Sequence, residues 1–355
     1  MTTQTAARER FLAALNLQEP DRVPVCPWIT SDWFQGHYDL DAATWYGSLD
    51  AQLEAMLNLY ERFPDFQYFP GFRASYGSTV EASSLGCEIK WPKNATPYAE
   101  PVIKDLGEDL PNLKPGDPLK DGRMPQVMEL YSDLANKLAT MNYEVTSGFL
   151  HGPIDVAAEI RGITDFFMDL YRDPEAVHTI MDICTETCIA FANAQYKAGG
   201  SNMLHIMVSD DSGSQLSEKH WKEFALPYLK RLFDGMPEGV VGVVHNCSRV
   251  SHLIEHYIQT GAKAIQFGED LPIEVAKERV GDKMCLFGNM GPLGIMSNGT
   301  PEEVEAACKD LIQKAGPGGG YILSSSGSVN REMPLENLEA MVRAAEKYGT
   351  YPISG

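Results

Sequence analysis

Gly239-Val-Val-Gly-Val-Val-His-Asn-Cys247 reads as a strand that ends on chemistry. A short valine-rich run bounded by glycine is the pattern of a strand covered on both faces, as strands of parallel sheets are. If the strand stops there, His245 and Cys247 stand at its C-terminal lip, where α/β enzymes carry their reacting groups. A neutral imidazole and a thiolate with one residue between them suit a borderline-soft ion such as zinc. The structural alternative is a core histidine beside a small buried thiol, since cysteine packs well as an apolar residue.

The same rhythm extends outward in both directions. Upstream, a helix over 217–234 feeds this strand; downstream, a helical segment over 252–260 leads to a strand at 264–267. A helix over 125–140 precedes a strand at 143–148, and a helical region over 153–195 precedes one at 203–208. Helices over 272–280 and 301–315 precede strands at 284–287 and 321–324, and a last helix covers 334–348. Toward the start lie a helix over 4–16, a short strand at 23–28 and a second strand at 66–69. Between these two strands, Leu49, Leu53, Met56, Leu57 and Tyr60 recur at helical spacing over 48–62. Eight strands, nearly all followed by helices, predict a (β/α)8 TIM barrel filling residues 1–355 as one domain, with an N-terminal helical extension. A doubly wound sheet is the alternative, but no Gly-x-Gly-x-x-Gly follows any strand. Residues 72–103 break the rhythm and predict a β-hairpin excursion carrying Glu81; residues 104–123, rich in Pro, Gly and Asp, predict a loop.

Composition narrows the function. The 355 residues carry a formal charge of -20, which repels phosphate and argues against a nucleic-acid partner. No run of 18 apolar residues predicts a membrane span. The start, MTTQTAARERFLAAL, lacks the apolar core of a signal peptide. Seven scattered cysteines read as reduced thiols, so a cytoplasmic location is expected.

A barrel builds its site from the C-terminal strand ends. The residues expected there are Cys26, Trp28, Phe69, Phe72, His151, Asp210, Asp211, His245, Cys247, Asn289 and the serine-rich 324–328. Asp210 and Asp211 are candidate catalytic carboxylates, with helix capping as the plainer alternative. Trp28, Phe34, Phe69 and Phe72 are candidates for a flat apolar substrate pocket. Glu81, on the hairpin, is placed to fold over the mouth as a catalytic group or metal ligand.

At this point a resemblance is visible over nearly the whole chain. The segments are Arg8-Glu-Arg-Phe-Leu-Ala-Ala-Leu15, Pro20-Asp-Arg-Val-Pro24, Glu81-Ala-x-x-Leu-Gly-Cys-Glu-Ile89, Gly152-Pro153 and Asp173-Pro-Glu-x-Val-His178. Asp210-Asp211 with His220-Trp-x-Glu-Phe-x-x-Pro-Tyr228, His245-x-Cys247, Gly288-Asn-Met-x-Pro292, Gly299-Thr-Pro-Glu-Glu-Val304 and Gly319-Gly-Tyr-Ile-Leu323 complete the set. They resemble the uroporphyrinogen decarboxylase superfamily, and within it the cobalamin-dependent methyltransferases. The decarboxylases carry arginines after the first strand and a histidine after the last. Here 26–34 reads Cys-Pro-Trp-Ile-Thr-Ser-Asp-Trp-Phe and 324–328 reads Ser-Ser-Ser-Gly-Ser, so an octacarboxylate substrate is not expected.

The resemblance to zinc-dependent methylcobamide:coenzyme M methyltransferases implies zinc on His245 and Cys247. Their third ligand, a cysteine after the last strand, falls at about Gly327 here. An oxygen ligand is then expected instead, with Glu81 ranked first and Asp210 or Asp211 next. Replacing a thiolate by a carboxylate leaves zinc more electrophilic, suited to an ether oxygen. That implies transfer of a methyl group from a methoxylated, aromatic compound to the cobalt(I) of a corrinoid. No Asp-x-His-x-x-Gly signature is present, so cobalamin is expected on a separate corrinoid protein, met by Asn289 and Ser326. Methyl transfer to a thiol and a decarboxylase-like lyase are the alternatives.

Overall fold

Residues 3–63, 71–91 and 97–353 are described by the computed structural model; the expected strand at 66–69, with Phe69, lies outside them. Two short strands, β1 (Glu88–Lys90) and β2 (Tyr98–Glu100), pair antiparallel. Six more follow: β3 (Ser147–His151), β4 (His205–Ser209), β5 (Val241–Asn246), β6 (Ala264–Phe267), β7 (Cys285–Met290) and β8 (Tyr321–Ser325). These six run in chain order through one sheet, and the registers that pair β3 with β4 and β5 through β8 are parallel. Chain order in a parallel sheet requires a crossover between each pair, and helical segments supply them. The chain forms two compact units. One holds Met1–Gly71, Val243–Ile258 and Ala262–Gly355; the other holds Phe72–Gly242 and Gln259–Gly261.

In the first unit, β6, β7 and β8 are buried at every position, which is why they read as continuous apolar runs. The opening helix Thr3–Leu15 sets Phe11 edge-on to Phe287 of β7, ring centroids 5.8 Å apart. Pro301–Ala315 starts with a capping box, in which Thr300 and Glu303 satisfy each other's backbone N–H. The decisive contact is at the start of the chain. Val25 forms a parallel bridge to Leu323, with Cys26 N donating to Leu323 O and Leu323 N to Pro24 O, each 2.9 Å. The first strand segment therefore lies beside the last strand. A closing barrel requires that neighbour, whereas a doubly wound sheet keeps its first strand inside.

In the second unit, β3 and β4 pair from Ser147 opposite His205 to His151 opposite Ser209. Helices Met124–Ala139, Pro153–Arg161, Ile163–Arg172 and Pro174–Ala198 surround them. The expected strand at 143–148 is displaced to Ser147–His151. Thr146 is occupied by Phe72, whose N–H bonds the Thr146 hydroxyl at 3.0 Å and whose carbonyl accepts from Thr146 N at 3.1 Å. The helical region 153–195 is three helices, broken at Gly162 (φ 86) and at Asp173 before Pro174. The region 217–234 is two, Glu218–Phe224 and Leu226–Asp234. Within 252–260 only the 3-10 turn His256–Thr260 forms.

Two further differences concern the site. The segment after the first strand is helical, over Ser31–His37 and Ala42–Gly47. Glu81 is not in the hairpin: it lies in a one-turn helix, Val80–Ser84, every residue of which is buried. There the Ser83 and Ser84 hydroxyls donate back to the carbonyls of Val80 and Glu81. Among the described residues, no helix is long and apolar enough to cross a membrane.

Candidate active site

His245 lies near the end of β5 and Cys247 directly follows its last residue, Asn246, as the sequence pattern implied. Strand alternation turns Asn246 to the opposite face. Its amide donates to Tyr257 Oη at 3.1 Å and its carbonyl accepts from Ser248 N at 3.0 Å, which fixes the turn after the strand. His245 is buried, and Cys247 is exposed while the other six cysteines are buried. Gly268, just after β6, has to be a glycine: a Cβ there would sit 2.8 Å from Cys247 O and 2.9 Å from Ser248 O.

The imidazole of His245 is held on two sides. Its Nδ1 hydrogen-bonds Gln266 Oε1, from the register partner on β6, and Gln266 Nε2 donates to Ser325 O at 2.7 Å. Trp28 lies edge-on to the ring, centroids 3.7 Å apart. Trp28 N in turn donates to Ser325 Oγ at 3.0 Å, and Val329 N donates to Trp28 O at 3.0 Å. Gly327 adjoins this group. A Cβ at Gly327 would lie 3.3 Å from the Cβ of Cys247. Ser326 is buried, and its N–H donates to Met290 O at 2.7 Å. Asn289 uses its amide nitrogen on Gly268 O at 3.2 Å and Leu271 O at 2.8 Å, clamping the loop after β6.

The candidate aromatics separate. Phe34 is buried in a ring cluster, stacked on Trp45 at 5.2 Å with Trp33 edge-on at 5.4 Å. Phe72 is buried in the second unit against Tyr143, 5.2 Å between centroids. Trp28 is the candidate that lies against the His245 ring.

The three candidate carboxylates all belong to the second unit, and each has its own surroundings. Glu81 is 1% exposed; its Oε1 accepts the backbone N–H of His151 at 2.9 Å and its Oε2 lies 3.7 Å from His151 Nδ1. Burial by itself would depress the His151 imidazole. The close Glu81 carboxylate and its charge, with Glu159 and Asp155 nearby, outweigh burial and raise it to about 9. Burial in turn pushes Glu159 up to about 7, against the pull of His151. Asp210 is buried and accepts from Trp221 Nε1 at 3.0 Å. Gly213 is packed so closely that a Cβ would meet the Asp210 carboxylate at 2.5 Å.

Asp211 is half-buried, within 3.2 Å of the Ser209 hydroxyl. The loop that carries it is tied down by Asp155, which accepts from Asp211 N at 3.2 Å and Ser212 N at 2.7 Å. Neither Asp210 nor Asp211 caps a helix: Ser217 does that for Glu218–Phe224. Gln266 and Asp155 were missed in the sequence. A polar residue inside the apolar strand Ala-Ile-Gln-Phe was the available signal for Gln266, because buried amides are found with partners.

The family model described as uroporphyrinogen decarboxylase (URO-D) matches residues 6–348. Methylcobamide:CoM methyltransferase MtbA of Methanosarcina acetivorans is 29% identical over 350 residues, 98% of this chain and 99% of that protein. A uroporphyrinogen decarboxylase of Pseudoalteromonas translucida is 30% identical over 323 residues, 79% of this chain and 90% of that one. A solved structure, a methyltransferase from Methanosarcina mazei, has the same fold: TM-score 0.82 at 24% identity, over 98% of this chain and 99% of its own.

Proposed function

The chain belongs to the uroporphyrinogen decarboxylase family and is a corrinoid-dependent methyltransferase; from that premise we propose that it passes a methyl group from a methoxylated, aromatic compound to a separate corrinoid protein, with zinc held by His245, Cys247 and an oxygen donor. The observation that carries this reading is Gly327. The resemblance puts the further cysteine of the thiol methyltransferases at about Gly327, a glycine packed against Cys247. The donor set is therefore one imidazole, one exposed thiol and an oxygen. Zinc, when bound, supplies Lewis acidity toward the heteroatom that loses the methyl group.

Within the second unit, Glu81 is buried against His151 and Asp210 against Trp221, whereas Asp211 is half-exposed with its backbone anchored through Asp155. Trp28 would orient the donor beside His245. The chain's contribution is placement and electrostatics, and the cobalt chemistry belongs to the partner.

A second reading, methyl transfer between a methylcobamide and a thiol, is favoured by the names of the relatives, which include a methylated-thiol--coenzyme M methyltransferase of Methanosarcina mazei. One assay separates the two. Purified protein is analysed for metal, then given a panel of methoxyarenes with cob(I)alamin, and separately methylcobalamin with thiols, the corrinoid absorbance being followed. Methylcobalamin formation from a methoxyarene, lost together with zinc in His245→Ala and Cys247→Ala, is the expected result. Turnover with thiols alone would replace the first reading by the second. Full activity in a metal-free double variant would overturn the zinc assignment.

A further inference from the structure

The segment that opens the second unit runs beside β3, the first strand of the six-stranded sheet. Phe72 exchanges hydrogen bonds with Thr146, and Tyr76 Oη donates to Phe149 O. Burial alternates along it: Phe72, Ala74 and Tyr76 are buried, whereas Arg73 and Ser75 are half-buried. A period of two is that of an extended segment with one face against the core, and Arg73 stands on the other face. Its guanidinium lies over the ring of Phe149, 5.1 Å from the centroid. Phe149 is held in turn by Gln195, which accepts from Phe149 N at 3.2 Å and donates to Phe149 O at 2.9 Å.

The charge of Arg73 has no counterpart around it. A guanidinium carries five N–H donors and keeps its proton at any ordinary pH. Among the described residues, no carboxylate and no hydrogen-bond acceptor meets it. Its neighbours are neutral. Burial, and then the charge of Arg73, lower the His205 imidazole to about 3, so this ring on β4 is uncharged at neutral pH. Tyr76 and Tyr131 keep their phenolic protons, because burial pushes both up. The Glu81 carboxylate is committed to His151. A cation drawn partly out of water is expected to be paired, and this one is left to a ligand.

We propose that Arg73 binds the carboxylate of the substrate, which makes the methyl donor a methoxylated aromatic acid. The proposal rests on the methoxyarene reading for what the ligand is. It rests on contacts within the second unit for where the anionic end goes. A guanidinium matches a carboxylate through two parallel N–H···O bonds, which are among the strong ones. In a chain of formal charge -20 an anionic substrate is repelled at long range, so a local cation is what admits it.

Isothermal titration of the purified protein with para-methoxybenzoate, and with its neutral amide para-methoxybenzamide, measures the contact without turnover. The acid should bind about 10- to 100-fold more tightly than the amide, and Arg73→Gln should remove that preference. Arg73→Lys keeps the charge but not the paired geometry, and should retain part of it. Equal affinity for acid and amide in the wild-type chain, or no binding of the acid, would overturn the proposal with no variant needed. An acid preference that survives in Arg73→Gln would overturn it too. Binding of a sulfonate-bearing thiol through Arg73, with none of the benzoate, would overturn the carboxylate assignment. The corrinoid assay judges the methoxyarene reading separately. Methyl transfer from acid and amide alike, with no dependence on Arg73, would keep that reading and refute this proposal. Benzoate bound through Arg73 without any methyl transfer would retain the anion site and refute that reading.

Discussion

Glu81→Gln removes one charge from the second unit and almost no volume. The amide oxygen can still accept the His151 backbone N–H that Glu81 Oε1 now accepts at 2.9 Å. What is lost is the negative charge beside the imidazole. His151 holds its proton up to about 9, against an ordinary value of 6.5, although burial opposes this. A histidine whose folded value is raised contributes stability that is complete below the unfolded value and disappears as pH rises through the folded one. The window is therefore pH 6.5 to about 9. Within it the contribution starts at about 3 kcal/mol, is about 2.5 kcal/mol at pH 7, and is gone above about pH 10.

In Glu81→Gln, burial prevails and His151 should titrate at 6.5 or below. Denaturant unfolding across pH 5 to 10 reads the stability, and NMR titration of the imidazole reads the group directly. The variant should lose about 2 to 3 kcal/mol at pH 7 and nearly nothing at pH 10. A His151 that still titrates near 9 in the variant, or a loss of stability that does not depend on pH, would refute the reasoning. The same variant tests Glu81 as a metal ligand: zinc content should stay at the wild-type level, and its loss would return Glu81 to the ligand set.

Gly327→Cys adds a thiol whose Cβ meets Cys247 at 3.3 Å, a fit that asks for a shift of a few tenths of an ångström; zinc should bind about 100-fold more tightly by competition under reducing conditions, with methyl transfer shifting toward thiols, and an unchanged affinity would remove Gly327 from the argument. Gly122→Ala puts a methyl group 2.4 Å from the Ser83 backbone at a residue with φ +53; because Ser83 belongs to the short helix carrying Glu81, denaturant unfolding should show a loss of about 2 kcal/mol or more, and an unchanged midpoint would contradict the packing described.

The sequence alone determined the alternation of strands and helices and the strand that ends on His245 and Cys247. Those signals are local: a valine-rich run, glycine at its edge, apolar residues at helical spacing. It also shows no cysteine in the stretch Ser324–Ser328, where the family resemblance implies a thiolate. The strand at 143–148 was misplaced because its limits depend on Phe72, far away in the chain, which occupies Thr146. Which polar group serves which partner was decided only in three dimensions. Glu81 meets a histidine 70 residues on, and Gln266 meets one 21 residues back. Nothing in either residue's own neighbourhood names that partner. A buried polar atom takes whichever complementary group the packing of separate strands and helices brings within reach, and that choice is made by tertiary structure.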